Sequence, residues 1–279
     1  MVNMGNPGYT LNQKNSSSSF EKSPTDNINI KQVLLKIDNQ HFAKYVSQMI
    51  YEISLGDETK RTQAYEIMKL ALRWALLLDL FYETNKPIFY EESEKQLSEL
   101  FKLLPQNHHR DLIYTEKNAR KYFDFEKELR IRIHANDRFS KKDIRQYLFG
   151  KSGDALFYGR LLKALTPSWN LTNELRIQTI LFDIGKDITD YDDDVKHGFP
   201  NVLYLFFSGT VERDKIPQDT KGAIRLANEM RVSSVVLKLA TKLKENALKS
   251  KNLYRSPTLQ ETIIDHYSRI EQFFASTKD

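Results

Sequence analysis

The chain has no cysteine, and among its 279 residues only ten are glycine and eight are proline. The first absence excludes disulfides, thiolate chemistry and zinc sites built on Cys. The scarcity of turn-formers favours long helices over a sandwich of short strands. No apolar core of a signal peptide occurs in the polar first 28 residues. No run spans a membrane either, since the most apolar stretch, Leu70 to Tyr82, is short and carries Arg73 and Asp79. These absences fit a cytoplasmic protein. The formal net charge is +5, but the basic residues are scattered among acidic ones, without a basic block or an aromatic RNA-binding signature. Nucleic acid is therefore not expected as a partner.

What is present is helical periodicity. Residues 1–28, with the run Ser16-Ser17-Ser18-Ser19, read as a disordered leader ahead of a single domain over 29–279. Apolar spacing predicts helices at about 30–54, 60–84, 90–104, 110–135, 141–165, 172–196, 200–208, 220–249 and 257–275. Ser140 with Asp143 predicts a capping box, Asp219 a cap, and Ser256-Pro257 a helix start with proline where no N–H is needed. Residues 66–82 are apolar on nearly every face, as in a helix inside a bundle. Leu129 to His134 alternates like a strand but has nothing evident to pair with, so it is read as helix. The adjacent His108 and His109 read as a loop or helix start, without a metal. The expected fold class is all-α, one large helical bundle.

The most informative segment runs from Ile180 to Asn201 and holds Asp183, Asp187, Asp190 and Asp194. At 100° per residue these fall within an arc of ~60°, on one stripe roughly 16 Å long. Asp192 points the opposite way and Asp193 lies off the stripe. Carboxylates three and four residues apart repel, so such a stripe persists most easily when a cation neutralises it. Oxygen ligands alone select Mg²⁺, with Mn²⁺ as the other candidate, and Mg²⁺ completes its shell with water and substrate phosphates. The competing explanation is an exposed acidic helix end leading into the loop at His197 to Pro200. Ile180, Leu181, Ile184 and Ile188 border the stripe, however, and place it beside the core. A second pair, Asp79 and Glu83, is one turn apart at the end of the apolar helix, where an unpaired charge is costly.

With these residues in view, the chain resembles the class I isoprenoid synthase superfamily, which comprises terpene synthases, trans-prenyl diphosphate synthases and squalene and phytoene synthases. Asp79-Leu-Phe-Tyr-Glu83 resembles the first acidic motif of that superfamily. Lys151-Ser152-Gly153 with Leu156-Phe157 looks like the helix that precedes the second motif. Phe182 to Asp190 resembles "FQIxDDxxD", Ile180 to Asp187 equally resembles the "ILRDVGED" of phytoene synthases, and Lys196 to Asn201 parallels the "GKPN" turn. The sequence departs at Leu80 and Lys186, which stand where prenyl synthases have Asp. It also lacks the "GKRxRP" signature for isopentenyl diphosphate.

The resemblance implies a bundle of the isoprenoid synthase type. In it Asp79, Glu83, Asp183, Asp187, Asp190 and Asp194 hold Mg²⁺, with Asp79, Glu83, Asp187 and Asp190 catalytic. Lys151, Arg160, Lys186 and Arg269 become diphosphate ligands, and a basic surface would also attract that anion. Trp74, Phe81, Tyr82, Phe157 and Tyr158 become the pocket that shields a carbocation. The implied activity is a terpene synthase (cyclase) acting on a substrate of farnesyl or geranylgeranyl length. Chain elongation or prenyl coupling on the same fold is the first alternative, and a non-catalytic helical binding protein the second. A homodimer remains open.

Overall fold

The computed structural model describes residues 29–39 and 42–275; the leader predicted for residues 1–28 lies outside them. The described residues form α-helices and no strand. In chain order the helices are α1 (Ile30–Asp38), α2 (Phe42–Ile53), α3 (Glu58–Thr84), α4 (Pro87–Lys102), α5 (Gln106–His134), α6 (Lys141–Gly150) and α7 (Gly153–Leu165). They continue with α8 (Thr172–Thr189), α9 (Tyr191–His197), α10 (Val202–Ser208), α11 (Thr220–Glu229), α12 (Val232–Leu248) and α13 (Pro257–Ala275). Among the described residues no helix is long and apolar enough to cross a membrane.

Several predicted starts are present as local chemistry. Ser140 and Asp143 cap α6 reciprocally, Asp219 Oδ1 accepts from Gly222 N–H at 2.8 Å, and Pro257 opens α13. The stretch Leu129 to His134 is the last part of α5, and His108 and His109 lie in that helix's first turn.

Four predicted helices are each two. The first divides into α1, which ends at Asp38, and α2, which begins at Phe42. The run 141–165 breaks because Arg176 of α8 donates from Nη2 to the Phe149 carbonyl at 2.9 Å and from Nε to Ser152 Oγ at 3.1 Å. That guanidinium takes a carbonyl the continuing helix would use. The run 172–196 turns at Asp190 (φ −93°, ψ 10°), and the run 220–249 at Arg231, in the left-handed region (φ 61°).

The long α3 runs through the middle, with Ala64, Ile67, Met68, Ala71, Trp74, Ala75 and Leu78 in the main core. It packs against α2 on one side and α4 on another, while α8 lies between α7 and α13 and α5 lies along α7. A smaller apolar cluster of Val33, Ile37, Leu72, Leu77 and Phe89 fastens α1 and α4 to the outer face of α3. There Arg73 Nε also donates to Asp38 Oδ1 at 2.7 Å. At the other side of the chain, Glu52 of α2 accepts hydrogen bonds from Ser256 Oγ (2.8 Å) and from the Thr258 hydroxyl at the start of α13.

Helices α7 and α8 approach closely at Gly159. A Cβ there would stand 2.4 Å from Thr172 Cγ2 and 2.7 Å from its Oγ1, and that hydroxyl already accepts from Trp169 Nε1 at 3.1 Å. Thr172 is β-branched and has few rotamers to retreat into. Gly159→Ala is therefore expected to destabilise the fold by about 1–3 kcal/mol. Gly153→Ala, whose added Cβ would meet nothing nearer than 3.9 Å, should leave the midpoint temperature close to wild type. Thermal denaturation of the two variants checks the contrast.

Candidate active site

Asp187 sits on the inward face of α8 with 3% of its side chain exposed. A carboxylate so deeply placed needs partners, and it has three. Lys151 Nζ donates to Oδ1 at 2.7 Å, the Val202 N–H donates to Oδ2 at 2.9 Å, and the Tyr147 hydroxyl lies 2.9 Å from Oδ2. The same hydroxyl is 2.9 Å from the Pro200 carbonyl and accepts from Lys151 at 3.1 Å. Burial works against the Lys151 charge, but Asp187 and then Asp183 outweigh it and hold the amine protonated, well above its ordinary pKa. Tyr147 and Lys151 are four residues apart, across the end of α6 and the residue that caps it. Asn201, wholly buried, donates to the Asp187 carbonyl and to Asp194 Oδ2 (2.8 Å). This side chain joins the turn after α9 to both α8 and α9.

The other stripe residues differ from Asp187. Asp183 has a buried Oδ2 with no hydrogen-bond partner. Burial pushes its pKa up to about 7 against the pull of Lys151. Asp194 is also raised to about 7, first by burial and then by Asp187. Asp190, at the joint between α8 and α9, is raised in the same way. The predicted stripe therefore bends at Asp190, yet its members remain within electrostatic reach of one another. Asp192 points away, as expected, and accepts from the backbone N–H and hydroxyl of Thr220.

The second acidic pair faces the same place. Asp79 is raised to about 7 by burial, then by Glu126 and Glu83, and is lowered by Arg130 and Lys186. Glu83 is raised by burial and lowered by the same two cations. Lys186 of α8 thus acts on Asp79 and Glu83 of α3 as well as on Asp183, Asp190 and Asp194. Between the clusters stand Glu126 and Arg130 of α5, paired at 2.9 Å, with Arg130 3.7 Å from Glu83 and over the Phe199 ring. The Arg130 Nε and the Tyr122 hydroxyl are buried without hydrogen-bond partners. Asp154 of α7, raised to about 6 by burial, completes the acidic wall. Among the described residues, no three carboxylate or imidazole groups converge closely enough to enclose a metal by themselves.

The remaining predicted residues divide. Trp74 and Phe157 are fully buried, their rings 4.8 Å apart, and Tyr158 continues the aromatic layer from Phe157. Phe81 and Tyr82 lie elsewhere. Phe81 packs on Tyr90, while Tyr82 stacks on Phe123 and donates to Asp124 at 2.8 Å. Arg160 is exposed and lines a separate hollow near the start of α8. Arg269 acts on His266, on the α13 side of α8.

The sequence reading gave no site role to Glu126, Arg130, Tyr122, Tyr147, Asp154 or Asn201. Tyr147, one turn before Lys151, and Asn201, at the end of the turn that parallels "GKPN", carried a usable signal. Glu126 and Arg130 are indistinguishable from the charged residues around them.

Two predictions follow from the burial of these charges. Asp187→Asn leaves Lys151 without its anion and is expected to cost about 3–5 kcal/mol of stability, whereas Asp183→Asn should be neutral or stabilising; chemical denaturation separates them. The second concerns pH. Asp79, Asp183 and Asp194 keep protons to about pH 7 in the folded chain but lose them near 4 when unfolded. The folded state then binds more protons between those two values, and stability should decline as pH rises from about 4 to about 7 and level off above that. A flatter profile in an Asp79→Asn, Asp183→Asn double variant is the expected check.

Compared with protein-family models, with curated proteins and with solved structures, the chain finds no match, and the chemistry of this site is read from its own geometry.

Proposed function

We propose that the protein ionises an allylic isoprenoid diphosphate with Mg²⁺, as a terpene synthase that releases pyrophosphate and a terpene. The observation that carries this reading is the convergence of two acidic clusters, from the ends of α3 and α8, on the shared cation Lys186. The site also fits a divalent ion. Asp183 Oδ2 is buried and unpartnered, and Asp79 and Glu83 are held near like charges that a cation would relieve. Mg²⁺ needs only one or two protein carboxylates when phosphate and water fill its shell. Asp79, Glu83, Asp183, Asp190 and Asp194 would supply the ligands, one or two to an ion, and the metal would stabilise charge developing on the leaving diphosphate. Asp187 belongs to the support of Lys151.

The chain's own residues divide the remaining tasks. Lys186, Lys151 and Arg130 present positive charge toward the same region and would bind and orient the diphosphate. The Trp74 and Phe157 rings lie fully buried in the bundle core; their faces would exclude water and stabilise a cation. The missing signature for isopentenyl diphosphate favours cyclisation over chain elongation. One feature favours the prenyl-coupling alternative: the turn ending at Asn201 is pinned under Asp187 and Asp194, which links the residues that resemble phytoene synthases.

The test is incubation with Mg²⁺ and geranyl, farnesyl or geranylgeranyl diphosphate, with and without isopentenyl diphosphate, followed by product analysis. Expected are pyrophosphate and an organic-soluble hydrocarbon or alcohol from one allylic diphosphate alone, with turnover roughly a hundredfold lower in Asp183→Asn. Release only when isopentenyl diphosphate is added would mean elongation, and a hydrocarbon joined from two chains would mean coupling. If no diphosphate is consumed and none raises the midpoint temperature with Mg²⁺, the non-catalytic binding protein takes its place.

A further inference from the structure

The opposite pole of the bundle carries a second set of features that the acidic site does not use. Helices α3 and α8 both begin there and end at the acidic clusters. Three connections meet at this pole: the turn after α2, the loop between α7 and α8, and the segment between α12 and α13. Arg255 ties them together by donating to the Ile53 carbonyl at 3.1 Å and the Ser168 carbonyl at 3.4 Å.

Two of the most exposed large apolar side chains in the described residues, Leu55 (94%) and Tyr254 (76%), project from these connections. Leu55 stands in the left-handed region (φ 58°), where the turn closes by donation from Gly56 N–H to the Tyr51 carbonyl. A side chain there costs about 1 kcal/mol that glycine or asparagine would largely avoid. The fold gains nothing from a leucine that is both strained and solvated.

The charge at this pole is also unspent. Nearby Glu52 is taken by Ser256 and Thr258, and Asp57 and Glu58 by Lys60 and Arg61. Arg160 and Lys163, beside Trp169 in a hollow of about 270 Å³, have no ion pair among the described residues. Neither have Lys249 and Lys251, which shortly precede Tyr254 in the same connection.

We propose that this pole docks on an anionic lipid bilayer, with Leu55 and Tyr254 entering the interface and Arg160, Lys163, Lys249 and Lys251 facing the phosphate headgroups. Apolar prongs ringed by unpaired cations are complementary to that surface in both respects. Neither element requires the acidic site to be catalytic.

Cosedimentation of the full chain with phosphatidylcholine vesicles, with and without phosphatidylglycerol, tests the proposal without any activity assay. Binding is expected only to the anionic vesicles, falling with added salt and shifting the emission of Trp169. Leu55→Asn, which relieves the backbone, should keep or raise the midpoint temperature yet weaken binding, further so when combined with Tyr254→Ser. Arg160→Gln with Lys163→Gln should weaken it roughly tenfold, and Lys117→Gln with Lys121→Gln on α5 should not. Absence of binding to anionic vesicles, or equal binding by all four variants, overturns the proposal. So does inorganic phosphate reproducing the Trp169 shift while Leu55→Asn binds vesicles as wild type does, since the hollow would then hold free phosphate only.

Discussion

A lysine and an aspartate, buried together and 2.7 Å apart, are the contact around which the acidic end of this bundle is arranged. Removing two charges from water is costly, and their attraction offsets that cost only when geometry and further hydrogen bonds are complete. Here completion comes from four directions. Tyr147 arrives from α6, the Val202 N–H from the start of α10, Asp187 from α8, and Lys151 from the break before α7. Satisfying one pair therefore fixes the mutual placement of four elements. The break exists because Arg176 takes the Phe149 carbonyl, so even the position of the lysine is set by a side chain of the helix it reaches toward.

Around this satisfied pair the other carboxylates are deliberately less comfortable. Asp79, Asp183 and Asp194 all hold protons to about pH 7 because burial and like charge outweigh the nearby cations. Such groups spend stability on something other than the fold, and a cluster of them in one place is a stronger indication of ligand binding than any member alone. The contrast within a single helix is instructive. Asp183 and Asp187 are one turn apart and chemically identical, yet one is an anchor and the other is left open.

Much of this was legible in the sequence. The fold class followed from sparse glycine and proline and from 3.6-residue periodicity, and the caps at Ser140, Asp219 and Pro257 followed from local hydrogen-bond chemistry. The stripe on α8 was legible because helical angle is fixed by spacing. What spacing could not convey was which stripe member would meet a lysine, since Lys151 is 36 residues distant. Nor could it tell Glu126 and Arg130 from the solvated charges beside them, because only packing against α3 distinguishes them. Breaks at Ser152 and Arg231 were invisible for a related reason: the first is imposed by Arg176 from another helix, and the second is a left-handed residue that is neither glycine nor asparagine. Phe81 and Tyr82, two and three positions beyond Asp79, face other directions on the helix and pack on Tyr90 and Phe123.

The clasp of Glu52 by Ser256 and Thr258 joins residues 204 and 206 apart in the chain. Its consequence lies in synthesis. As the chain leaves the ribosome, α2 and α8 are complete long before α13, whose apolar face covers both. Until α13 is set, the faces of α2 and α8 that it packs against have no cover, and the nascent bundle stands open along one seam. Chaperone demand and aggregation should thus be concentrated in the interval before α13 leaves the ribosome, while the seam it covers is still open.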